Sequence, residues 1–85
     1  MQVKVYATLR PIIGGALAPV VTEPGQTVRE LVDEMVTRWP DLRPEMVDEQ
    51  GNLLQRIQIF VNGRSIAFGD GLATVIPGNA NIAIF

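Results

Sequence analysis

The chain has 85 residues, 47% of them hydrophobic and 19% charged, with a formal net charge of −2. That length supports one domain, residues 1–85, around a single core, and the composition excludes a disordered chain. Cysteine and histidine are both absent, which excludes disulfides, thiolate nucleophiles, zinc–thiolate sites and histidine general bases.

Gln2 to Leu9 alternates, with Val3, Val5, Ala7 and Leu9 on one face and Gln2, Lys4, Tyr6 and Thr8 on the other. Period-two alternation predicts a half-buried strand. Pro11 cannot continue a paired strand, and Gly14 and Gly15 admit positive φ, so Arg10 to Gly15 is predicted as a turn. It leads into a second strand, about Ala16 to Thr22, completing an N-terminal hairpin. The glycine pair is read as a hairpin turn, because a phosphate loop would need a Lys-Ser/Thr pair and a helix directly after it.

Glu23 to Gln26 breaks the strand, and Thr27 opens the one predicted helix. Thr27 and Glu30 stand at capping-box spacing. Val28, Leu31, Val32, Met35 and Trp39 share one helix face, with Arg29, Asp33, Glu34, Thr37 and Arg38 mostly on the other. This apolar stripe is read as core packing. Pro40 ends the helix near Arg38. Asp41 to Gly51 is predicted as a wrapping loop or short 3₁₀ turns. Asp48, Glu49 and Asn52 lack the alternating oxygen ligands and closing glutamate of a calcium loop, so no metal is expected there.

Arg56 to Asn62 is predicted as a strand with Ile57, Ile59 and Val61 on one face and Gln58, Phe60 and Asn62 on the other. Asn62-Gly63 is a strong type I′ hairpin signal. Arg64 to Phe68 is the returning strand, Leu72 to Ile76 a short buried crossing, and Pro77 to Asn79 a turn. The last strand, Ala80 to Phe85, places Ala80, Ile82 and Ile84 opposite Asn81, Ala83 and Phe85. Two hairpins flanking one helix predict an α+β fold: a mixed sheet of about five strands with one face covered by the helix and the other free to bind.

Taken in order, TLRPIIGG (Thr8 to Gly15), TVRELVDEM (Thr27 to Met35), RWPDLRPEMVDEQGNL (Arg38 to Leu53), IFVNGRSIAF (Ile59 to Phe68) and GDGLATVIPGNANIAIF (Gly69 to Phe85) resemble the small ubiquitin-like, β-grasp sulfur carriers of the MoaD/ThiS type. The cysteine-biosynthesis carrier branch is the most similar. The resemblance covers nearly the whole chain. It implies a protein substrate and not an enzyme, with no catalytic residue, cofactor or metal of its own. Such carriers end in a flexible Gly-Gly tail. An ATP-dependent adenylating (activating) enzyme activates the terminal carboxylate, sulfur is installed as a thiocarboxylate, and a sulfur-accepting enzyme receives it for cofactor or cysteine biosynthesis. The last residue here, Phe85, stands where the final strand ends. Two expectations follow: a carrier whose Gly-Gly tail lies beyond Phe85, or a tailless ubiquitin-like adaptor docking on a larger protein complex.

Either way the expected partner-binding residues are Phe60, Phe68 and Phe85 on the free face, rimmed by Arg56, Gln58 and Arg64. The alternative reading of the phenylalanines is that they close the open end of the core. Six arginines and one lysine, Lys4, are scattered along the chain, so no nucleic-acid partner is expected. The weak net acidity is compatible with docking on a basic partner. No apolar run reaches the roughly 20 residues of a membrane helix, and MQVKVYATLR holds no signal-peptide core. The expected compartment is cytoplasmic, with no membrane insertion. A small-molecule enzyme is disfavoured: the acids fall mostly on predicted helix or loop surfaces, and no nucleophile–base pair is visible.

Overall fold

Alternation turns into pairing at the N-terminus, where β1 (Gln2–Val5) runs with Val3 and Val5 fully buried. The computed structural model describes residues 2–20, 23 and 25–85. β1 is shorter than its alternation suggests, because Ala7 takes a positive φ of 54° and turns the chain out of the sheet. The segment predicted as a turn is instead a short helix, α1 (Leu9–Ile13). Pro11 lies within its first turn, where a missing N–H costs nothing. Leu9 is buried and Ile12 and Ile13 pack on the core, at the spacing of one helix face. Gly14, at φ 83°, supplies the left-handed cap, and its N–H donates to the Arg10 carbonyl at 2.9 Å.

β2 (Leu17–Ala18) pairs antiparallel with β1, so the N-terminal hairpin forms around α1. Val21 and Thr22, the end of the predicted second strand, lie outside the described residues. The main helix, α2 (Val28–Arg38), starts and stops as its sequence signals imply. Thr27 Oγ1 accepts the Glu30 N–H at 3.3 Å, and Glu30 Oε1 accepts the Thr27 N–H at 3.1 Å. Val28, Leu31, Val32, Met35 and Val36 are buried, and Trp39 before Pro40 is half-buried.

The predicted wrapping loop contains a 3₁₀ turn at Pro40–Leu42, from which Leu42 reaches the core, and a second short helix, α3 (Arg43–Met46), from which Met46 does. The Asp48 carboxylate accepts the N–H groups of Gln50 and Asn52, each at 2.9 Å, and so folds its own turn. β3 (Ile59–Val61) and β4 (Arg64–Ser65) are joined by Asn62 at φ 51° and Gly63 at φ 82°, the positive pair a type I′ turn requires. 3₁₀ turns follow at Ile66–Phe68 and Gly71–Ala73, and Ile76 is buried before β5 (Asn81–Ile84).

The five strands are ordered β2-β1-β5-β3-β4, with β1 and β5 parallel and the other pairs antiparallel. Chain start and end are therefore adjacent in the middle of a mixed sheet. Val3, Val5, Ala18, Ile59, Ile82 and Ile84 form the inner face and share one buried cluster with the apolar side of α2. No helix among the described residues is long and apolar enough to cross a membrane.

Candidate functional site

Strand pairing places side chains of opposite parity on the face away from α2. Across all five strands the register aligns Leu17, Lys4, Ala83, Phe60 and Ser65 in one row. One step toward the C-terminal end of β5, Phe85 pairs with Gln58 through two backbone hydrogen bonds of 2.8 and 3.1 Å, and the Tyr6 N–H donates to the Ile84 carbonyl at 3.1 Å. Tyr6, Phe85 and Gln58 thus make the next row.

The aromatic members of these rows touch. The Tyr6 ring stacks on Phe85 with centroids 4.3 Å apart and planes 4° from parallel. Phe60 meets Phe85 edge-on at 5.5 Å and 82°. Offset-stacked and edge-to-face pairs are the two arrangements that the ring quadrupole favours. The Arg10 guanidinium lies 5.0 Å from the centroid of Tyr6, held by a 2.9 Å bond from its Nε to the Val5 carbonyl. Tyr6, Phe85 and Phe60 of this ladder border an open groove of about 510 Å³ that also takes in Lys4, Asn81 and Ala83. Phe85 remains 47% exposed and Leu17 51%, so this face is apolar and uncovered.

The sequence-derived candidates divide. Phe60 and Phe85 come together, on the face expected of them. Phe68 does not join their ladder: Ser65 Oγ accepts the Ala67 N–H at 3.2 Å and starts a 3₁₀ turn, so the returning strand ends three residues early. Its ring is 78% exposed at the far edge, where it borders a second groove of about 470 Å³ shared with Phe60 and Leu72. Arg56 pairs with Glu45 at 3.0 Å. Arg64 sits opposite Val61, whose side chain faces the core, and donates to the Phe68 carbonyl at 3.1 Å. Neither arginine lines the aromatic groove. Tyr6, Lys4 and Leu17 were absent from the candidates. The signal for Tyr6 and Lys4 was their shared parity in the first strand.

The chain matches the model of the ThiS family over residues 3–85. A search of the curated proteins found no match. Among solved structures it is similar to SAMP1 from Haloferax volcanii, at 25% identity and a TM-score of 0.85, covering 100% of this chain and 91% of that one. CysO from Mycobacterium tuberculosis is 26% identical with a TM-score of 0.80, covering 99% and 94% of the two chains. A chain of the BexX/CysO complex from Amycolatopsis orientalis is 25% identical with a TM-score of 0.80, covering 99% and 91%. The β-grasp order of five strands around α2 and this full-length match agree. The chain belongs to the ThiS family of ubiquitin-like sulfur carriers of the MoaD/ThiS type, small carrier proteins rather than enzymes.

Proposed function

We propose that the chain is activated at its C-terminus by an ATP-dependent adenylating enzyme and carries sulfur from there as a thiocarboxylate. The terminal carboxylate attacks ATP, pyrophosphate leaves, and a sulfur donor then displaces AMP from the acyl adenylate. None of this asks for a catalytic side chain of the carrier, which suits a chain with no cysteine or histidine. The observation that carries the reading is the position of Phe85. It follows directly on β5, paired with Gln58 and seated inside the aromatic ladder, so a segment continuing from β5 would leave from the edge of the open face. That face, through Tyr6, Phe60 and Phe85, is the proposed docking surface for the activating enzyme and for the enzyme that accepts the sulfur. Phe68, Arg56 and Arg64 lie outside the ladder and serve at most as its outer contacts. That a similar chain was solved in the BexX/CysO complex supports a role that involves docking on a partner protein.

Intact-mass measurement of the protein from its producing cell tests the chemistry. A species heavier by the replacement of one oxygen with sulfur, located by fragmentation at the C-terminal residue, is the expected result. Finding only the carboxylate form, with a purified adenylating enzyme, ATP and a sulfur donor all supplied, would sink the reading.

A further inference from the structure

The charges on the open face have one sign. Lys4, the single lysine of the chain, projects from the middle of the cross-sheet row between Leu17 and Ala83. It is the one charged residue lining the aromatic groove. Arg10 stands at the end of the ladder with its guanidinium fixed over Tyr6. The one ion pair among the described residues is Arg56–Glu45, so neither Lys4 nor Arg10 is neutralised by a neighbour. Most of the acids are elsewhere. Glu30, Asp33 and Glu34 lie on α2, which covers the opposite face, and Asp41, Glu45 and Asp48 belong to the segment that continues from it. The net charge of −2 therefore hides an apolar open face that carries cations alone, while most of the acids lie on or next to α2, mixed there with Arg29, Arg38 and Arg43.

We propose that this face docks on a partner surface that is apolar and carries a carboxylate opposite Lys4, and that this contact sets the register of docking. The inference rests on the open face being the docking surface of a carrier, and it names the partner's chemistry. Bringing apolar surfaces together removes water around the lysine, so an unmatched ammonium would be costly and a facing carboxylate offsets that cost. A symmetric face-to-face pair of two copies would set cation against cation, which disfavours a second copy as occupant. Two separated cations are too few to hold a nucleic-acid backbone. A basic partner, with which the weak net acidity is compatible, would meet like charge at this face.

The test uses the full-length carrier and its purified adenylating enzyme, with ATP–pyrophosphate exchange as the readout. Lys4→Glu is expected to raise the KM for the carrier roughly tenfold or more, with a smaller effect on kcat, because like charges then face each other. Lys4→Arg should stay within about twofold of the parent, and added salt should weaken the parent more than Lys4→Met. A zero-length carbodiimide joins an amine only to a carboxylate it touches. It should therefore link Lys4 Nζ to an aspartate or glutamate of the enzyme, a product that Lys4→Arg abolishes while exchange continues. Exchange that is robust with the parent and unchanged by Lys4→Glu overturns the inference and leaves the carrier reading intact. So does a Lys4 crosslink found only within a dimer of the carrier. No exchange with any chain removes the carrier reading, and this inference with it.

Discussion

Tyr6 organises the site at the residue scale. Its ring lies between the Arg10 guanidinium and the Phe85 ring, so one side chain ties the first strand to the last. Aromatic pairs contribute about 0.5–1.5 kcal/mol beyond the area they bury. Tyr6→Ala is expected to cost about 1–2 kcal/mol in urea unfolding, while Tyr6→Phe keeps the stack and most of the stability. An unfolding midpoint unmoved by Tyr6→Ala would show that the stack holds nothing in place. Phe68 makes the opposite point. A phenylalanine three residues past a strand's last paired position is not an anchor by alternation alone, since the Ser65 turn breaks the alternation first.

Elements follow their caps more closely than their patterns. The capping box starts α2 where the sequence places it, and Trp39 before Pro40 ends it. Thr27→Ala leaves the Glu30 N–H without its side-chain acceptor and should cost about 1 kcal/mol, measured by thermal or urea unfolding. Thr27→Ser should recover most of that loss, whereas equal losses from both would point away from the hydroxyl. The N-terminal segment departs from its predicted turn for a physical reason. Proline and a glycine pair mark a turn, but a proline in a first helical turn and a glycine cap just after the last one are equally the ends of a short helix. Five residues are too few to show a period, and what stabilises α1 is the burial of Leu9 beside Ile12 and Ile13 rather than its own propensity.

At the scale of the molecule, stability concentrates where the first and last strands meet. β1 and β5 lie side by side at the centre of the sheet, and Ile84 pairs with both Val5 and Ile59 while fully buried. Ile84→Ala should therefore cost roughly 2–5 kcal/mol and lower the Tm as one cooperative transition. Phe68→Ser, on a ring that is 78% exposed, should change stability by less than about 0.5 kcal/mol. Comparable losses from the two would contradict the placement of the core.

The sequence by itself determined the local features: the main helix and its caps, the Asn62-Gly63 turn, the inward side of the first, third and last strands and the number of strands. Those follow from interactions within a few residues and from side-chain periodicity. It also carried the family, through the order of its segments. Only the tertiary structure decided which outward residues become neighbours. Tyr6 and Phe85 are nearly the whole chain apart in sequence, and the parallel pairing of β1 with β5 brings them to 4.3 Å. The same pairing collects Lys4 onto an apolar face, while most of the acids lie on or next to α2, so the sign of the proposed docking surface was not readable from net charge. Charge is a sum over residues, whereas recognition depends on which of them share a face.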